Sequence, residues 1–232
     1  MHPISVLKRI LRRIPFSGPL SRRWRREQAD DLEEWVAMGR PILPPEVALR
    51  SWEAAGRPMP PPHVVKQAAL RHYAEKYGLR IFVETGTYYG DMVEAMKGFF
   101  DSIYSIELGR RLYRQAKRRF RGSNHVRILH GDSAKKLPWV VKIIDGPALF
   151  WLDGHYSGGS TAKGEKDTPI YEELRHILAD RGKRHVVVID DARCFGMIPA
   201  YPTLEELKAF VFSKRNDVEI HVQDDSIRIT PK

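Results

Sequence analysis

Residues 81–90, reading I-F-V-E-T-G-T-Y-Y-G, constrain this chain more than any other stretch. Ile81, Phe82 and Val83 form a short apolar run suited to a strand buried on both faces. Glu84 ends the run, and Gly86 and Gly90 bracket a tight turn. Asp91 with Glu94 three residues on reads as a capping box that opens a helix. A strand, a glycine turn and a helix bring backbone close to a nucleotide-like ligand, because glycine carries no Cβ to hold the ligand off. The spacing matches neither G-x-G-x-x-G nor a Walker loop. An acid stands at the strand end and the glycines lie four apart, E-x-G-x-x-x-G.

That pattern resembles motif I of the class I S-adenosylmethionine (SAM)-dependent methyltransferases. In that family the turn backs the methionine part of a ligand that has no phosphate, so no lysine is needed. The resemblance implies cofactor contacts from Glu84, Thr85, Gly86, Thr87 and Gly90. A purely structural strand-to-helix turn is the plainer alternative.

From residue 81 the chain alternates strand and helix. Strands read at 81–85, 102–107, 127–130, 148–153 and 185–190, with helices near 91–99, 109–121, 133–143 and 169–180. A last pair, 218–223 and 226–230, joined by Asp224 and Asp225, reads as a hairpin. Alternating units of this kind predict an α/β, Rossmann-like, doubly wound parallel sheet. The closing antiparallel hairpin matches the seven-stranded sheet of the methyltransferase resemblance. The domain is expected over 63–232, behind an extension of 1–62. A helix at 64–77, with Val65, Ala68, Ala69, His72 and Tyr73 along one side, stops at Gly78. Residues 17–62 are rich in proline and read as irregular apart from a short helix near 30–38.

Charge separates the two parts. The chain has 39 Lys and Arg against 29 Asp and Glu. Eight of those bases and no acid lie in residues 1–26, which leaves 31 bases against 29 acids in the rest. The near-neutral domain disfavours a nucleic-acid partner. Residues 4–14 place Ile4, Leu7, Leu11 and Ile14 at helical spacing opposite Lys8, Arg9, Arg12 and Arg13. Such a basic amphipathic helix suits an anionic membrane surface, with a solvated or docked arm as the alternative. No apolar run is long enough to cross a bilayer, and the single cysteine, Cys194, excludes an intrachain disulfide. The expected location is the cytoplasm, peripheral on the inner face of the membrane. A homo-oligomer is left open.

Further acids stand at strand ends. Glu107 closes the second strand, 21 residues after Gly86, where a carboxylate can accept both ribose hydroxyls. Asp132 and Ser133 follow the third strand. The resemblance places Asp132 at the adenine amino group with Ser133 beside it, and Asp132 also reads as a helix N-cap. The helix between, at 110–121, carries a dense basic face over a buried stripe of Leu112, Ala116 and Phe120. That face reads as solvated.

Asp153 ends the fourth strand and Asp190-Asp191 the fifth. Neighbouring strands lie about 4.8 Å apart, so the three carboxylates should converge and repel unless a cation neutralises them. Oxygen-only ligation suits Mg²⁺, and ordinary strand-end acids are the alternative. This set resembles the metal-dependent sugar O-methyltransferases of the macrocin O-methyltransferase type over roughly residues 80–230. Where that family places a further acid as the base, this sequence has His155, whose pKa suits proton abstraction near neutrality. The resemblance implies SAM and Mg²⁺ as cofactors and Asp153, Asp190 and Asp191 as metal ligands. Asp153 would also touch SAM, His155 and Asp153 would be catalytic, and the acceptor would be a hydroxyl of a saccharide or glycolipid. Residues 157–167 read as a substrate lid, with Thr168 capping a helix whose first residue is Pro169. The rival readings are an RNA or protein methyltransferase and a membrane-attached SAM-binding scaffold without turnover.

Overall fold

A computed structural model describes residues 44–154 and 169–232. Leu49–Lys232 form one compact unit. The helix expected at 4–14, the one near 30–38, the lid at 157–167, His155 and Thr168 all lie outside the described residues.

A seven-stranded sheet runs through the larger unit in the order β3-β2-β1-β4-β5-β7-β6. Its strands are β1 (Ile81–Thr85), β2 (Ser102–Glu107), β3 (Val126–His130), β4 (Ala148–Leu152), β5 (Val186–Ile189), β6 (Val218–Gln223) and β7 (Ser226–Pro231). β1 to β5 are parallel, and β7 runs antiparallel between β5 and β6. The doubly wound sheet with its reversed last strand is the architecture the alternating pattern predicted. β1, β4 and β5 are buried at every residue, which is why β4 and β5 read as unbroken apolar runs and β1 as one up to Val83. The turn between β6 and β7 holds Asp224 and Asp225 at φ 47° and 58°, a left-handed pair that Asp tolerates and that matches the twist of a tight hairpin.

Helices cover both faces. On one side, α2 (His63–Tyr77) and α3 (Asp91–Met96) pack Leu70, Tyr73, Met92 and Met96 against Phe82, Leu149 and Trp151. α4 (Arg110–Arg119) closes that layer through Phe120 just past its end, and it buries Leu112 and Ala116 while its arginines face solvent. On the other side, α5 (Ser133–Ile143), α6 (Ile170–Ala179) and α7 (Leu204–Lys214) pack Leu137, Leu174 and Leu207 against Val83, Phe150 and Val187.

Several local expectations are corrected. A helix, α1 (Pro45–Ala54), stands in the stretch read as irregular. α2 buries Leu70, Tyr73 and Ala74; of the side expected from the sequence Tyr73 is buried, while Ala68 and His72 are exposed, because tertiary contacts and not the weak amphipathic pattern orient it. Asp91 does not cap α3: left-handed Gly90 does, and Asp91 sits in the first turn, 2.6 Å from the Arg119 guanidinium. Pro169 is the cap of α6, which starts at Ile170. α7 adds a helix beyond those expected; Thr203 and Glu206 form a capping box at its start, carried by T-L-E-E in the sequence.

Candidate active site

The strand order reverses between β1 and β4, and in open α/β sheets a ligand lies in the crevice beyond the carboxyl ends of the strands at that point. The two ends touch. Gly86, at φ +87°, rests on the main chain of Asp153, and a Cβ there would stand 2.8 Å from the Asp153 carbonyl carbon. The Asp153 amide donates to the Thr85 carbonyl at 3.0 Å, and the amides of Gly86 and Thr87 both donate to the Ile106 carbonyl. The turn is thus tied to both neighbouring strands. Gly90, at φ +83°, lies against the ring of Phe120, where a Cβ would approach to 2.6 Å.

Two buried acids flank this turn. Glu84 is 1 % exposed and accepts a hydrogen bond from the Ser105 hydroxyl, which itself lies 2.5 Å from the hydroxyl of Thr87. Burial pushes the Glu84 carboxyl up to about 8, with Ser105 pulling the other way and the charges of Glu107 and Asp91 adding to the rise. Glu107 accepts from the Tyr88 amide at 2.8 Å through one oxygen and from the Gly109 amide at 2.7 Å through the other. Burial raises it too, against those two backbone donors. Each oxygen keeps a second acceptor position, which suits a pair of ribose hydroxyls. Holding the Tyr88 amide on Glu107 accompanies a left-handed Tyr88, φ 51°.

Asp132 caps α5 by accepting from the Ala134 amide at 3.0 Å, and Ser133 behind it is buried. The sequence did not single out Glu173 of α6, which is 1 % exposed. Burial pushes it up to about 7, opposed by the hydroxyls of Ser133 and Thr85. Its Oε1 lies close to Gly154, where a Cβ would come within 3.4 Å of it and within 3.1 Å of the Thr85 hydroxyl. Tyr113 stacks on His130 with centroids 5.0 Å apart, at the carboxyl end of β3.

Beyond β4 and β5 the acid cluster assembles around a lysine. Lys66, in the first turns of α2, donates to Oδ2 of Asp190 and stands 3.9 Å from Asp191. Its ammonium also feels the charge of Asp153 and lies 5.9 Å above the Trp151 ring. Burial alone would lower the Lys66 pKa, yet the carboxylates of Asp190, Asp153 and Asp191 outweigh it and the net shift is upward. Burial raises Asp153 well above the ordinary range, with Asp190 adding and Lys66 opposing. Asp190 shifts upward for the same reason, against the pull of Lys66. Asp191 is left-handed, φ 56°, and accepts from Arg193 at 2.9 Å; Arg193 also pairs with buried Asp225. His63, one turn before Lys66, sits 2.7 Å from the Gln67 amide. Burial and the Lys66 charge lower it to about 4.

Two of the three carboxylates expected as metal ligands, Asp190 and Asp191, therefore meet side-chain cations, and Asp153 lies in the field of Lys66. One Asp190 oxygen is on Lys66 and Asp191 is on Arg193, so these residues do not fit a divalent ion as they stand. Among the described residues, no group of three or more His, Cys, Asp or Glu is arranged to hold a metal. No helix among the described residues is long and apolar enough to cross a membrane. Lys66 was missed because a lone lysine on a helix carries no motif, and its partner lies 124 positions away.

Neither a protein-family model nor a curated protein matches the sequence. Solved structures do match. The O-methyltransferase TomG of Streptomyces achromogenes, in complex with SAM, is similar at 17% identity over 81% of this chain and 88% of its own, with a TM-score of 0.54. The O-methyltransferase of Bacillus cereus, in complex with S-adenosylhomocysteine (SAH), is similar at 16% identity over 87% and 100%, TM-score 0.53. The SAH-bound methyltransferase PaMTH1 of Podospora anserina is similar at 14% identity over 94% and 100%, TM-score 0.51. With its sheet order, reversed last strand and glycine turn at the switch point, this chain has the Rossmann-like fold of the class I SAM-dependent methyltransferases.

Proposed function

We propose that the protein is a SAM-dependent O-methyltransferase whose acceptor is a hydroxyl of a saccharide or glycolipid. The observation that carries the SAM reading is the pair of buried acids, Glu84 and Glu107, on either side of a glycine turn pressed against Asp153. In this reading Glu84 would receive the ammonium of the methionine part, and Glu107 the two ribose hydroxyls. Asp132 and Ser133 lie where the adenine would reach, and Asp153 closes the far side of the turn. Methyl transfer would then proceed in line. The acceptor oxygen forms a bond to the methyl carbon as the carbon–sulfur bond breaks, and the hydroxyl proton leaves to a base. His155, and the carboxylates around Lys66, are the groups from which that base would come. The saccharide reading rests on the sequence resemblance to sugar O-methyltransferases. The matched structures named as O-methyltransferases support oxygen as the methylated atom.

Calorimetry of the full chain with SAM and SAH tests the cofactor reading, and transfer of labelled methyl to a saccharide panel tests the acceptor. Binding of SAH, followed by labelled saccharide, is expected. No SAH binding would remove the enzyme reading, and labelled RNA or protein in place of saccharide would move the acceptor to another class.

A further inference from the structure

We propose that Lys66 is the built-in cation of the acid cluster, a positioning residue that takes the place of a divalent ion and holds Asp190 for the acceptor hydroxyl. The role in turnover rests on the methyltransferase reading; the role as cation does not. Three carboxylates at neighbouring strand ends need a compensating charge. Here the charge arrives from outside the strand ends, on the helix that precedes β1. Lys66 is 14 % exposed at its side chain and Asp190 3 %, so the pair is sheltered from the screening that makes surface ion pairs weak. Its contacts are directional: one Asp190 oxygen takes the ammonium, and Asp191 lies at 3.9 Å.

The other Asp190 oxygen supplies the second observation. Oδ1 is buried and meets no hydrogen-bond partner of good geometry, although the Asp191 amide lies near the carboxyl and draws on its charge. A buried acceptor left unpaired costs free energy, and such atoms persist where a ligand completes them. Asp190 directly follows β5, paired to β4, whose end carries Asp153. Its free oxygen therefore belongs to the same rim as the glycine turn. A hydroxyl donor of the acceptor satisfies it, and the lysine on Oδ2 stops the carboxylate from rotating away. Lys66 thus acts through Asp190 on the orientation of the acceptor, in the way a metal would act by direct ligation.

The test uses the full chain and Mn²⁺ as a spectroscopic stand-in for Mg²⁺. Paramagnetic resonance of free Mn²⁺ is expected to detect no site in the wild type. Lys66→Ser vacates the cation position and is expected to gain one Mn²⁺ site, lost again in Lys66→Ser combined with Asp190→Asn. In turnover, Lys66→Met is expected to raise KM for the acceptor and lower kcat by about tenfold or more while SAH affinity is unchanged. Lys66→Arg is expected to recover part of the loss, and a chelator to leave the wild type unaffected. A wild-type Mn²⁺ site abolished by Asp190→Asn would overturn the proposal, as would loss of wild-type turnover to a chelator. The wild-type arms need no variant to fold. If no form binds SAH, the methyltransferase reading fails while the Mn²⁺ measurements still decide what Lys66 is.

Discussion

Gly86 and Asp153 are in main-chain contact, 67 positions apart, and no side chain fits between them. The contact joins the end of β1 to the end of β4 at the point where the sheet reverses its order. Gly86→Ala must both enter a left-handed conformation and displace backbone, so it should cost more than ~2 kcal/mol. Urea unfolding of the variant checks the cost, and SAH calorimetry should show binding lost. A variant as stable as the wild type would mean that the two strand ends separate easily.

Glu84 should make SAM binding a proton-releasing event. Burial pushes its carboxyl up to about 8, and a methionine ammonium beside it would stabilise the ionised form. Below that pH, binding should expel a proton, and affinity should rise as pH approaches it. Calorimetry in buffers of different ionisation enthalpy measures the proton count, and a count of zero would separate Glu84 from the ligand.

The same burial has a stability consequence. Glu84 and Glu173 have folded pKa values above the ordinary 4.5, at about 8 and about 7. The native state therefore holds their protons more tightly than the unfolded chain does. The stability they contribute is complete below 4.5 and is lost as pH rises through 7 and 8. Thermal unfolding of the ligand-free protein should show a melting temperature that falls across that window. Glu173→Gln, which is neutral at every pH, should flatten the fall and leave the protein more stable at the alkaline end.

Glu84 and Glu107 are expected to read different parts of the cofactor. Glu107→Ala should weaken both SAH and 5′-methylthioadenosine by about tenfold to a hundredfold, the scale of hydrogen bonds to a charged group. Glu84→Gln should weaken SAH and spare methylthioadenosine, which has no amino acid part. Equal losses on both ligands in both variants would reject this division.

The basic arm is tested separately. Deleting residues 1–26 should abolish salt-sensitive binding to anionic vesicles, because it removes eight cations and no acid. Unchanged sedimentation with vesicles after the deletion would reject a membrane-facing arm.

How far the sequence could be read follows from how local each cause is. The strand at 148–152 is apolar throughout and the one at 81–85 opens on Ile81-Phe82-Val83 because helices cover both faces, and that is visible in any one segment. The Asp132 cap and the paired Asp turn at 224–225 need only adjacent residues, and both were legible. The T-L-E-E cap of α7 is equally local. The face of α2 was not legible, since its pattern is nearly uniform and only packing against Phe82 and Trp151 selects a side.

The sequence by itself determined the alternation of elements, the glycine turn and the acids that end the strands, since each depends on backbone conformation or hydrophobic burial within a few residues. Tertiary structure alone decided what those acids face. A carboxylate's partner and charge depend on groups within a few ångströms in space. Only the folded chain brings Lys66 to Asp190, Arg193 to Asp225 and Glu173 beside Thr85.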